Sequence, residues 1–161
     1  MDPIALLRSG LGSEWLPSLY LSKVHSQRTR RIVLDIPERE NSPAIQYTLL
    51  GIELRVGKRR ISCPDLAAAR YLRVFVRIGV REFAVPYNIT KVSVIADELE
   101  TAWQRLILMI DEASVSLAPA AMKRFRGRVL KHLRSEFYAI GAGEEVPQFD
   151  TKASDRYAGR P

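Results

Sequence analysis

Residues 44–56 read AIQYTLLGIELRV, and the way this stretch divides decides the fold. Ile45, Tyr47 and Leu49 share one face of an extended chain, and Ile52, Leu54 and Val56 share another, with Gly51 between them. Strand side chains alternate with a period of two. A change of phase at a glycine therefore means a bulge in one long strand or a break between two. Gly57-Lys58 then turns the chain into a short strand, Arg60 to Cys63.

The flanks extend the strand-rich reading. Arg31 to Ile36 (RIVLDI) has the β-branched composition of a strand, and Glu38 to Pro43 is a polar turn region. Ser18 to Val24 alternates in part, with Leu19 and Leu21 on one face, and reads as a further strand. Asp2-Pro3 opens a short helix to about Arg8, ended by Gly10 and Gly12.

Downstream the period changes to 3.6. Asp65 is an N-cap for a helix over 66–78 with Gly79 as its C-terminal stop, and Arg70, Arg73 and Arg77 form a stripe along it. Glu82 to Val85 is a short strand. Ser93 or Asp97 caps the next helix, whose Leu99, Trp103, Leu106, Met109, Ile110 and Ala113 lie on one face. Pro119 opens the last helix, with Met122, Phe125, Val129, Leu133, Phe137 and Ile140 as its buried stripe. The expected class is α+β: a small mixed or antiparallel sheet in αβββαβ order, followed by an antiparallel C-terminal helix pair. Residues 1–143 would form one domain and 144–161 a polar tail.

At 161 residues the chain can bury a full core, and 47% hydrophobic with 27% charged residues excludes wholesale disorder. Cys63 is the single cysteine, which excludes an intramolecular disulfide and fits a buried structural thiol. One thiol with His25 and His132 does not supply a zinc set. No apolar run approaches the roughly 18 residues that span a bilayer, and Met1 to Gly10 lacks the pattern of a signal peptide. A cytoplasmic location is expected, and a membrane is not an expected partner.

The net charge of +7 is unevenly spread. Residues 91–116 hold 2 cations and 5 acids, whereas 117–137 hold 6 cations and 1 acid. Three basic clusters stand out: Arg28, Arg30 and Arg31; Lys58, Arg59 and Arg60; and the last helix with Lys123, Arg124, Arg126, Arg128, Lys131 and Arg134 against Glu136. Such clusters favour phosphate backbones, by contacts that are salt-sensitive and largely blind to base sequence. The expected function is nucleic-acid binding, to DNA or RNA, by Arg28, Arg30, Arg31, Lys58, Arg59, Arg60, Lys123, Arg124, Arg128 and Lys131. A second expectation is a non-catalytic assembly subunit that docks on a protein partner or on a second copy. An exposed Leu99, Trp103, Leu106 and Ile110 stripe would favour it.

The order helix, three strands, helix, strand over about residues 3–86, with Asp35 ending one strand and Glu53-Leu54-Arg55 on the next, resembles the PD-(D/E)XK nuclease superfamily. That resemblance implies Mg²⁺ held by Asp35 and Glu53, with Arg55 as the cation at the attacking water and Glu14 as an auxiliary acid. Leu34 stands where the family has proline, and Arg55 where it has lysine. An arginine stays protonated, so it could only position water or phosphate. The resemblance requires Asp35 and Glu53 to converge.

Overall fold

The computed structural model describes residues 2–143; the polar tail expected over 144–161 lies outside them. The fold is α+β, with two antiparallel sheets and helices packed against them. Helix α1 (Pro3–Leu11) is capped by Asp2, whose carboxylate accepts from the Ile4 N–H at 3.2 Å. A 3-10 turn (Gly12–Glu14) leads into α2 (Leu16–Leu19), which continues as a π-helical turn over Tyr20–Val24.

The strand expected over Ser18 to Val24 is therefore helical. Its buried residues are Leu16, Leu19, Tyr20 and Val24, while Leu21 is exposed. Burial at helical spacing overrides the partial alternation of Leu19 and Leu21.

Strand β1 (Thr29–Val33) begins and ends earlier than expected and pairs only with β5 (Glu82–Pro86). The stretch over 44–56 breaks at Gly51 into β2 (Pro43–Thr48) and β3 (Gly51–Val56), joined by Leu49-Leu50. Strand β4 (Arg59–Cys63) completes a three-stranded sheet in the order β2-β3-β4. The αβββαβ order is thus replaced by a helical N-terminus followed by four strands, α3 (Leu66–Ile78), β5 and two helices. Of the two alternatives for residues 44–56, the break between two strands is the one found, and the segment expected as the first strand is helical.

Helix α3 ends as the sequence predicts, with Asp65 accepting from the Ala68 N–H at 2.8 Å and Gly79 in the left-handed conformation (φ 97°). It packs on both sheets. Ala69 and Val76 bury against Leu54, Val56 and Cys63 of the three-stranded sheet. Tyr71, Phe75 and Ile78 enter the main core with Phe83, Tyr20 and Phe137. Phe75 and Phe83 stack at 4.1 Å, and Tyr20 and Phe137 meet Phe75 edge-on.

Helix α4 (Ile89–Ala113) starts earlier than either expected cap. Asn88 is the N-cap, accepting from the Thr90 N–H at 3.1 Å, and Val92, Ile95 and Ala96 extend the buried stripe toward it. Asp97 is instead drawn to Arg70 on α3. Helix α5 (Pro119–Ile140) opens at Pro119 and buries Phe125, Val129, Leu133 and Phe137 as read. Both C-terminal helices enter the main core, but the backbone nearest to α4 is that of α3 rather than α5. Leu99, Trp103, Leu106 and Ile110 are all buried, so that stripe is core and not a docking face.

Candidate nucleic-acid interface

Arg124, Arg128 and Lys131 lie at i, i+4 and i+7 of α5, opposite its buried stripe, and span about 10 Å at helical rise. All three are exposed, as are Lys123 at one edge of this face and Arg126 near the helix start, in line with the buried stripe. Among the described residues none of the five is ion-paired with a carboxylate. The contrast with other cations is sharp. Arg31 pairs with Glu82 at 2.5 Å, Arg59 with Asp35 at 3.6 Å and Arg60 with Glu53 at 3.8 Å. Arg70 and Arg73 are held by Glu100, and Arg105 by Glu14. Most of the cations of β4 and α3 are thus engaged inside the protein, whereas α5 presents its own to water except Arg134, which pairs with Glu38 at 3.8 Å and donates to the Ile78 carbonyl at 3.0 Å.

Three of the five, Lys123, Arg124 and Arg126, sit in the first two turns of α5, with no acid in the first turn. The N-terminal end of a helix carries positive partial charge, so cations there add to the field. The single acid of the helix, Glu136, is already engaged. It accepts from Trp15 Nε1 at 3.2 Å and pairs with Arg8 and with His132 Nε2, each at 3.1 Å. Arg8 on α1 is thereby engaged within the protein, like Arg31, Arg59 and Arg60.

The remaining expected contacts are scattered. Arg28 lies over the Tyr87 ring at 4.7 Å, Arg30 is exposed on β1, and Lys58 is exposed at the β3–β4 turn. Arg28 and Arg30 belong to the two-stranded sheet, and Lys58 to the three-stranded sheet. They and α5 are therefore carried by different parts of the molecule.

The residues implied by the nuclease resemblance are not gathered. Asp35 follows β1 as an exposed loop residue paired with Arg59. Glu53 is central in β3, opposite Gln46 and Ser62, and paired with Arg60. Arg55 bends back to donate from Nε to the Gly57 carbonyl at 3.3 Å. Glu14 lies far along the fold, in a groove of about 480 Å³ between α2 and α4, with Lys23, Asp97, Glu98 and Thr101. Among the described residues no three or more His, Cys, Asp or Glu side chains cluster as a metal site.

Cys63 is buried, and burial pushes its thiol up to about 11, as expected of a structural cysteine. Among the described residues no helix is long and apolar enough to cross a membrane. Fold and surface together define an α+β domain with one cationic helix face. Comparison with protein families, with curated proteins and with solved structures gave no match.

Proposed function

We propose that this chain is a nucleic-acid-binding domain that holds phosphate backbone on the outer face of α5, without marked base specificity. The observation that carries the reading is the five exposed cations of α5 with no carboxylate partner among the described residues. Like charges spaced one turn apart destabilise a helix by a few tenths of a kcal/mol per pair, and among the described residues no carboxylate offsets them. A polyanion would. Arg28, Arg30 and Lys58 are secondary contacts on this reading, reached by a strand that wraps the domain.

The test is binding of labelled duplex and single-stranded DNA and RNA across a salt series. The affinity should fall steeply with salt. Replacing Arg124, Arg128 and Lys131 by glutamine should lower the slope of log K against log[salt] by about 2–3, because each lost phosphate contact removes about 0.7–0.9. Arg60→Gln, which removes an internally paired cation, should leave the slope nearly unchanged. No binding at low salt would overturn the proposal. Running the same series with Mg²⁺ reads the rival: product that disappears in Asp35→Ala would replace the binding domain with a metal-dependent nuclease.

A further inference from the structure

The stretch from Asn41 to Ile52 is the longest in the chain without a charged residue, and it forms an outer strand and its turn. β2 is an edge of the three-stranded sheet, with one side of its backbone unpaired by any other strand among the described residues. An open edge invites pairing with another strand, and proteins usually block it with charge. The opposite edge, β4, carries Arg59 and Arg60, and β1 carries Arg30 and Arg31. β2 carries Pro43 at its start and no charge after it.

The turn at the end of β2 adds a second anomaly. Leu49 and Leu50 are fully exposed, at 106% and 100%, and Tyr47 beside them is 71% exposed. Scattered exposed leucines need no explanation, but a contiguous apolar tip does. Turn geometry does not require them. Thr48 Oγ1 accepts from the Leu50 N–H at 3.2 Å and donates to the Gly51 carbonyl at 3.0 Å. Gly51, at φ 125°, takes the backbone conformation closed to other residues. Leu49 and Leu50 have negative φ and Gly51 alone takes the positive one, so the turn admits most residue pairs and does not call for leucine.

We infer that β2 pairs antiparallel with β2 of a second copy of this chain, making a continuous six-stranded sheet across a two-fold axis. The occupant is a second copy because the edge is electrically matched to itself. An uncharged strand meets no like charge in its own image, whereas a β4–β4 pairing would set arginines against arginines. Residues that face each other across a ladder point to the same side, so the axis must pass through a residue. With the axis at Gln46, Tyr47 of each copy lies beside Ile45 of the other, an aromatic–β-branched cross-strand pair on the α3 side of the sheet. Pro43, which has no N–H to give, falls at the end of the ladder beside Leu49. The exposed tip then lies against the partner's β2 instead of water. This inference is independent of the nucleic-acid reading.

The experiment is sedimentation of the full chain over a concentration series, with a register-specific cross-link. Wild-type protein should sediment as a dimer of 18.2 kDa chains. Tyr47→Lys combined with Leu49→Asp, both solvent-exposed changes, should give a monomer whose circular dichroism is unaltered. Gln46→Cys should form an intermolecular disulfide on mild oxidation, since facing Cα atoms about 4.5–5.5 Å apart suit that bond. Thr48→Cys should not, and wild type, with only buried Cys63, is the blank. A wild-type monomer at all concentrations would overturn the inference. So would a dimer that survives the double substitution, or one that cross-links through position 48 and not 46.

Discussion

At the scale of single residues, Arg81 and Tyr20 fix more of this molecule than their positions suggest. The Arg81 guanidinium is buried, with no carboxylate partner among the described residues. It donates to the backbone carbonyls of Ile36 at 3.0 Å, Pro37 at 2.9 Å and Glu40 at 2.7 Å, and also to Val76 at 3.3 Å. Burial presses its pKa down, yet arginine starts so high that the charge is kept. The planar fork clamps the 36–40 loop to the end of α3. Arg81→Lys keeps the charge but loses the fork, and should cost at least ~2 kcal/mol in urea unfolding. The Tyr20 hydroxyl accepts from the Ala84 N–H at 2.7 Å and donates to the Gly141 carbonyl at 2.5 Å, tying the π turn to β5 and to the end of α5. Burial pushes this phenol up to about 12 from an ordinary 10.0. A raised folded-state value means the stabilisation is complete below pH 10 and is lost as pH rises toward 12. Tyr20→Phe should lower stability by about 1–3 kcal/mol at pH 7 and should flatten that alkaline decline. Thermal melts of both proteins from pH 8 to 11.5 check this.

At the scale of elements, the α3–α4 seam is the electrostatic joint of the fold. Glu100 accepts from Arg73 at 2.6 Å and from Arg70 at 3.0 Å. Burial alone would raise its carboxyl, but the two arginines hold it below its ordinary 4.5. A depressed value means the seam stabilises fully above the unfolded-state pKa and weakens as pH falls through the folded one. Glu100→Gln should therefore cost about 1.5–3 kcal/mol near neutral pH and very little at the acid end, read by denaturant melts at pH 7 and pH 3. Asn88→Ala should cost about 1 kcal/mol, whereas Ser93→Ala, mid-helix and exposed, should leave stability nearly unchanged. Element legibility follows the same local logic. Helix α3 was readable end to end because Asp65 and Gly79 are strong local stops. The start of α4 was not, since Asn88 follows a proline-containing strand end and the buried Val92 and Ile95 alone do not mark a boundary. Ser18 to Val24 misled because Leu19 and Leu21 alternate in sequence, whereas Leu21 is exposed and the buried Leu16, Leu19, Tyr20 and Val24 follow helical spacing.

At the scale of the whole molecule, the arrangement of cations decides what the surface can do. If α5 binds phosphate, charge reversal at Lys123 and Arg126 should weaken binding of any sequence alike, because backbone contacts carry no base information. Competition between unrelated oligonucleotides measures that. The α+β class, the break at Gly51, the single buried thiol and the basic last helix were all determined by the sequence itself, through hydrophobic period, glycine placement and charge. These are short-range properties, and they survive whatever surrounds them. The pairing of β1 with β5 joins residues some fifty positions apart across an intervening sheet, and no local pattern encodes such a choice. The same holds for the carboxylates. Asp35 and Glu53 each meet an arginine of β4, Arg59 and Arg60, and no local pattern announces either pair. Which cations are free is likewise decided in three dimensions: Arg59 and Lys131 are equally basic in sequence, and only the fold brings a carboxylate to one of them.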